Sequence, residues 1–576
     1  LWNRGGFVVQ VDTLVLNGTV FNSYFKQFRK ENIAIKDGKF FYIGKKGQEF
    51  FQASEMVDAT GKYIVPGLID IHLHIESTMV TPTTFSYALI KNGVTTIVPE
   101  PHEMANVFGI AGVKEMIKAS KNEVVDMFYG IPSSVPATSM ETTGGAIEIE
   151  DIKELMQTES IKCLGEIMNY YDVLAKPDCK TNQILEFVRK NYPELIIEGH
   201  VPKLLDDELQ GIAFAGVGSD HTHQTVEGMK ERIAIGMFLE IQEKSMTPEV
   251  IDYLIEHPVK EHFCFVTDDV MADSLQRRGH LNVLLKKAIS MGMSYEDAIY
   301  ACTYTPAKRM RMYDRGVIAP SKIADFVIVS NLDDFFIDAV YKDGKKVFDH
   351  ELPYVQNAVS KLFPPSFYES VKLSPLSAEE FEVSMDAEKN NVTVRTIHVQ
   401  NGSTFTEERQ DTLSIVAGRL QWVDSPYCLV KTFERYQKNQ NKAHGLIGGD
   451  ILKRGAVATT YSHDNHNLLV VGKNKEDMQL AANEVIKNQG GICCVHNGEI
   501  LSMVPLPVGG ILSEEPLEVI AAQVEELTTA LKSLGYEHYN VIMSLSTLSL
   551  PVSPALKITD FGLIAVNEGK VISFEV

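Results

Sequence analysis

The chain has 576 residues, 44% of them hydrophobic and 23% charged, an ordinary globular composition that excludes a disordered chain or a fibrous repeat. At roughly 150 residues per domain it has room for three or four domains, or fewer if one is a large barrel. Its 54 Lys plus Arg against 76 Asp plus Glu give a net charge of −22, which repels phosphate backbones and anionic bilayers and argues against nucleic-acid and membrane partners.

The opening Leu1-Trp2-Asn3-Arg4 lacks an apolar h-region with a cleavage site, and no stretch approaches ~18 consecutive apolar residues. The expectation is a soluble, non-exported protein with a trimmed start. Seven scattered cysteines without a Cys-x-x-Cys pair fit a reducing cytoplasm and indicate neither a disulfide framework nor a thiolate metal site. Strand texture appears at 13–16, 32–35 and 39–44, broken by the turn pairs Asn17-Gly18 and Asp37-Gly38. It returns at 324–329 and 339–347, with Asp343-Gly344 as a hairpin signal, so residues 1–65 and 313–350 are expected to pair into one composite β domain.

Between these pieces lie eight short apolar runs, at 68–71, 94–98, 125–129, 161–164, 195–197, 212–217, 235–239 and 263–266. Amphipathic stretches such as 182–190 and 281–289 fill the gaps and follow the last run. This pattern fits an α/β fold in which residues 66–312 form a (β/α)8 TIM-like barrel. A Pro- and Ser-bearing connector covers 351–390. A C-terminal α/β domain follows over 391–576, with strands at 414–416 and 468–471 and helices near 475–488 and 516–534.

The strongest local signal is Pro66-Gly67-Leu68-Ile69-Asp70-Ile71-His72-Leu73-His74. On a strand the side-chain period is two, so His72 and His74 project from one face and can reach one metal ion. They fall at the C-terminal end of the first barrel strand, where barrel active sites form. The same ends of other strands supply Glu166, His200, His221 and Asp268. Any one of these is most simply a solvated strand end. Four imidazoles and two carboxylates at one barrel mouth describe a binuclear centre for two divalent transition-metal ions such as Mn2+, Fe2+ or Zn2+. Such a pair ionises water near neutral pH, and an aspartate beside it can carry the proton.

Several ordered motifs go further. The run Pro66 to His74 continues as Ile75-Glu76-Ser77-x-Met79-x-Thr81-Pro82 and is followed by Pro101-His102-Glu103-x-Ala105-Asn106-Val107, Ser134-Val135-Pro136-Ala137, Leu164-Gly165-Glu166-x-Met168-Asn169, Gly199-His200, Ser219-Asp220-His221 and Thr267-Asp268-Asp269. The last third adds Gly455 to Thr460 and Ser462-His463-Asp464-x-His466-Asn467. Over nearly its whole length the chain resembles the adenine deaminases of the amidohydrolase superfamily.

The resemblance implies that His72, His74 and Asp268 hold one metal, that His200 and His221 hold the other, and that Glu166 bridges them. It also makes Asp268 the proton shuttle and places Glu76, His102, Ser134 and Asp269 around the substrate. The implied reaction is attack of metal-activated hydroxide on C6 of adenine, leaving hypoxanthine and ammonia, in purine salvage. Homo-oligomerisation stays open.

Three positions depart from the family pattern: Thr222 where Glu is usual, Gln242 where Arg is frequent, and Glu198 where Asp is common. Thr222 and Gln242 keep another cyclic amidine or amide alive as substrate, and a catalytically silent metal-binding scaffold is the rival from a different class. His463 and His466 beside Asp464 read either as a second metal site or as a hydrogen-bonded turn that helps close the barrel mouth. Ser133-Ser134 lacks the Gly-x-Ser-x-Gly elbow of a hydrolase, and no phosphate-binding glycine pattern follows a strand.

Overall fold

The computed structural model describes residues 8–158, 160–356 and 361–576. The opening residues 1–7 and part of the expected connector, 357–360, therefore lie outside the described residues. Eight strand positions close into a TIM-barrel-like ring. Leu68–Leu73, Val94–Pro99 and Asp126–Met127 pair in parallel, as do Tyr129–Ile131, Ile161–Ile167 and Ile196–Gly199, and then Ser219–Asp220, Phe238–Ile241 and Phe263–Phe265. The third strand is split at Phe128, whose N–H donates to Ile97 O at 3.0 Å. The fifth and sixth strands join through Gly218 N–H and Ile197 O at 2.9 Å. Asp268 N–H donates to His72 O at 3.1 Å and closes the last strand on the first.

Leu68–Leu73 and Val94–Pro99 are buried at every position, which explains why they read as continuous apolar runs and not as alternating ones. The outer helices bury one stripe each. Lys180–Asn191 turns Thr181, Ile184, Leu185 and Val188 inward, and Leu281–Ser290 buries Leu281, Leu284, Leu285 and Ala288.

Two expectations need correction. The run 212–217 is not a strand: it covers the end of helix Asp206–Ala215 and the turn that follows, and the sixth strand is the two-residue Ser219–Asp220. Helical burial of Leu209 and Ile212 produced that apolar signal. Asn17-Gly18 is not a hairpin turn either. Strand Val9–Asn22 runs through it with a register shift between Val15 and Gly18, Asn17 taking φ 63° as a bulge residue. Asp37-Gly38 and Asp343-Gly344 do turn the chain, all four residues at positive φ.

The flanking sheet joins both ends of the first half of the chain. Tyr63–Pro66 pairs in parallel with Val9–Asn22 and antiparallel with Phe326–Asn331, so the small sheet and the barrel share the segment that enters the first barrel strand. Residues 361–390 are not a free tether, because Phe363, Phe367, Val371, Phe381 and Val383 are buried and Phe367 stacks on barrel Phe108 at 3.9 Å.

The C-terminal part is built on a nine-stranded sheet. Its strands are antiparallel except where Asn391–Val399 runs parallel to Lys442–Gly449. Helices Lys475–Lys487 and Leu517–Ser533 pack against it. It docks on the barrel through apolar packing of Leu517–Ser533 on helix Ala272–Arg278 and through polar contacts: Thr142 Oγ1 donates to Asp560 Oδ2 at 2.6 Å, and Asn467 Nδ2 donates to Thr142 O at 2.9 Å. Among the described residues no helix is long and apolar enough to cross a membrane.

Candidate metal centre

The strand period delivers the two histidines as expected. His72 and His74 leave the first strand on its inward side, both 4% exposed. Below them Asp70 fixes the strand end by accepting from His72 N at 3.2 Å and from Thr267 Oγ1 at 2.7 Å. Burial, partly offset by these donors, pushes Asp70 up to about 7.

Glu166, at the end of Ile161–Ile167, occupies the middle of the site. Its Oε1 is 3.5 Å from His74 Nε2 and its Oε2 is 2.9 Å from His200 Nδ1 and 3.2 Å from His221 Nε2. Its backbone is held on both sides: Glu166 N–H donates to Glu100 Oε2 at 2.6 Å, and Ser133 Oγ donates to Glu166 O at 2.8 Å. Asp268 faces the histidine pair from across the ring, with Oδ1 3.7 Å from His72 Nε2 and 3.5 Å from His74 Nε2. It sits at φ 57°, a backbone state that Asp tolerates better than most residues, and the His72 carbonyl holds it there.

All six residues expected to hold metal thus come together, and three-residue sets of their ligand atoms lie within 4.8 Å of one another: His72, Glu166 and His221, and His72, His74 and Asp268. The hydrogen-bond pattern fits a cation. His74 Nδ1 lies 3.1 Å from Glu100 O, a pure acceptor, so Nδ1 carries a proton and Nε2, turned to two carboxylates, is the nitrogen available to a metal. His72 Nε2 and His221 Nδ1 are buried without a hydrogen-bond partner. Burial pushes Glu166 and Asp268 up, but imidazoles outweigh it: His221, His200 and His74 hold Glu166 well below the usual carboxylate range, and His72 and His74 do the same for Asp268. His200 is the open side of the site, with 34% of its side chain exposed.

The residues expected around the substrate occupy different places. Glu76 is fully buried, accepts from Met104 N at 3.3 Å through Oε1, leaves Oε2 unpartnered and is pushed up to about 7 by burial. Asp269 accepts from Ser77 Oγ at 2.5 Å. Ser134 Oγ lies 3.3 Å from Glu166 O and also accepts from Met168 N, so it buttresses the Glu166 strand end. His102 stands beside the centre, its Nδ1 3.7 Å from Glu166 Oε1.

Thr222 does not face the histidines. Its Oγ1 donates to Asp220 Oδ2 at 3.0 Å, an oxygen that also accepts from Arg232 Nε at 2.7 Å. Gln242 Nε2 donates to His221 O at 2.6 Å and so helps position that residue.

Sequence reasoning missed two participants. Lys244 Nζ lies 3.8 Å from Asp268 Oδ2, and nothing in its local pattern marks it. Glu103 Oε2 is hydrogen-bonded to His466 Nε2 and its Oε1 lies 2.8 Å from His463 Nε2, which makes the 463–466 segment part of the barrel mouth. Glu103 lies in the motif run Pro101-His102-Glu103, but nothing in that run assigns it a role.

Comparison with known proteins agrees with this geometry. The Amidohydrolase family matches residues 63–347, and the adenine deaminase C-terminal domain matches residues 403–570. The chain is 62% identical to adenine deaminase 2 of Shouchella clausii over 98% of its length and 99% of that protein. It is 49% identical to an adenine deaminase of Clostridium perfringens over 98% of this chain and all of the relative. The chain belongs to the adenine deaminase family. Among solved structures it is similar to a beta-aspartyl dipeptidase of Fervidobacterium islandicum, at 18% identity and a TM-score of 0.47 over 60% of this chain and 99% of that one. Membership makes the protein a metal-dependent hydrolase, and the clustered His, Glu and Asp side chains are its candidate metal-binding groups.

Proposed function

We propose that the chain hydrolyses adenine to hypoxanthine and ammonia with two divalent ions at the barrel mouth, Mn2+ first and Fe2+ or Zn2+ as substitutes. In this reading His72, His74 and Asp268 would hold one ion and His200 and His221 the other, with Glu166 available to both. The observation that carries it is the division of Glu166, one oxygen toward His74 and the other toward His200 and His221. When bound, the ions supply the Lewis acidity that ionises water near neutral pH.

The chain's own residues do the rest. Asp268 takes the proton released from water and delivers it to the departing amine, with Lys244 Nζ 3.8 Å from its Oδ2. Glu76, with its unpartnered Oε2, is the candidate acceptor or donor for the purine edge, alongside Ser134 and Asp269. Net addition of water and loss of ammonia balances adenine against hypoxanthine. Because Thr222 is turned to Asp220, its departure from the family pattern does not weigh against adenine.

The same proposal keeps the division into a composite β domain (1–65 with 313–350), a barrel (66–312), a connector (351–390) and a C-terminal domain (391–576). It places the enzyme in cytoplasmic purine salvage, acting on a small molecule without nucleic-acid or membrane partners; the net charge of −22 supports that last point. Ammonia release from adenine, measured with Mn2+ beside adenosine, guanine and cytosine, tests the reading. Turnover of adenine alone is expected. Inert adenine with turnover of another cyclic amidine would replace the substrate, and no bound metal after reconstitution would remove the mechanism.

A further inference from the structure

We propose that His102 is a fifth imidazole of the metal centre, oriented by Glu103, which the C-terminal residues His463 and His466 hold in turn. The inference rests on the binuclear reading and gives the C-terminal sheet a role in metal retention.

His102 opens the helix His102–Phe108, directly after the second barrel strand, and points its two ring nitrogens at different surroundings. Nε2 lies 3.3 Å from Glu103 Oε1. Nδ1 lies 3.7 Å from Glu166 Oε1 and 3.7 Å from Glu100 Oε1, and neither it nor Glu100 Oε1 has a hydrogen-bond partner. Glu103 offers Nε2 only acceptor oxygens, which leaves Nδ1 as the nitrogen available to a metal. Nδ1 faces two carboxylate oxygens at 3.7 Å, too far for a hydrogen bond. Three buried ligand atoms turned toward each other without hydrogen bonds between them are the setting a divalent cation fills. The ligand atoms of His74, His102 and Glu166 indeed lie within 4.8 Å of one another, and the His74 and His102 rings are 4.5 Å apart.

The orienting carboxylate is itself fixed from outside the barrel. His463 Nε2 reaches Glu103 Oε1 at 2.8 Å and His466 Nε2 reaches Oε2. His466 Nδ1 lies 3.2 Å from Thr460 O, and His463 Nδ1 meets Ser546 Oγ, so both rings are anchored in the C-terminal part. All of these groups are buried. The arrangement has the form of a metal ligand held by an outer carboxylate, except that the outer carboxylate is clamped by a second domain.

The test is Mn2+ binding to the full-length protein after chelator treatment, by equilibrium dialysis with elemental analysis. Wild type is expected to bind two ions. His102→Gln is expected to bind one of them about 10- to 100-fold more weakly, and His463→Ala with His466→Ala, which alters no proposed ligand, to shift affinity the same way. His466→Gln, whose amide can still donate to Glu103, is expected to recover most of the loss suffered by His466→Ala, a separation that mere packing does not produce. Melting of each metal-free variant checks that it is folded. Two ions at wild-type affinity in folded His102→Gln would overturn the ligand assignment. Wild-type affinity in the His463/His466 double variant would overturn the clamp. Failure of wild type to bind any metal would instead remove the binuclear reading on which both depend.

Discussion

Two layers of carboxylates line the barrel interior, and they differ in what faces them. At the mouth, Glu166 and Asp268 face imidazoles, which can be neutral and leave the negative charge free for a metal. Two residues before His200 on its strand, Glu198 instead meets Arg309, whose guanidinium lies 2.9 Å away, and Ser219 Oγ. Burial pushes Glu198 up, but Arg309 outweighs it and holds the carboxyl low, whereas burial and then the Glu198 charge drive Glu240 well above its usual range. Guanidinium is permanently charged and saturates its partner. The partner, and not the acid itself, decides which layer is open to a cation.

The sharpest break between the layers is expected from Glu166→Gln. Losing the shared charge removes several kcal/mol of metal-borne stabilisation, so adenine turnover should fall on the order of 10³-fold or more, with loss of bound metal. Ammonia assay and elemental analysis read this out; retained activity and two retained ions would put Glu166 in the structural layer. Glu198→Ala should do the reverse, removing the carboxylate hydrogen-bonded to half-buried Arg309 and leaving Glu240 as its remaining acid, at a stability cost of roughly 1–3 kcal/mol while the metal count holds. Denaturation together with metal analysis separates these outcomes, and lost metal with unchanged stability contradicts the comparison.

Lys557 is the mirror case, a buried amine with no carboxylate partner among the described residues, donating to Thr404 O at 2.9 Å and lowered by burial to about 7. Its unfolded value is near 10.4, so between about 7 and 10.4 the unfolded chain holds the extra proton and stability from this group rises with pH; below 7 its burial penalty is largest. Lys557→Met should therefore flatten the gain in melting temperature between pH 7 and pH 9, and an unchanged pH profile would show that the amine is solvated. The smallest effect is expected at Thr222→Val, which loses one buried hydrogen bond worth about 1 kcal/mol and leaves metal affinity intact. A drop in metal affinity there would draw Thr222 into the mouth layer after all.

The candidate metal-binding residues were legible because each sits at or just after the C-terminal end of a strand, where the period of two and the barrel rule both apply. The sixth strand was not legible, since only two residues pair and the neighbouring apolar run belongs to a helix. Nor does sequence distinguish Glu198 and Glu240 from Glu166: all three are acids on barrel strands, and Arg309, 111 positions after Glu198, separates them. The link from Glu103 to His466 spans 363 positions and has no local signature. The bulge at Asn17 carried the composition of a hairpin turn, and only cross-strand pairing on both sides shows that the strand continues.

The antiparallel seam between Tyr63–Pro66 and Phe326–Asn331 bears on how the molecule is made. During synthesis from the N-terminus, the hydrogen-bonding groups of the earlier segment along that seam must wait until residue 326 leaves the ribosome. The nascent barrel thus grows from a strand edge that stays open throughout its own assembly, a long-range closure that slows folding and invites wrong pairing. Chaperone demand should consequently be concentrated in the interval before that seam closes.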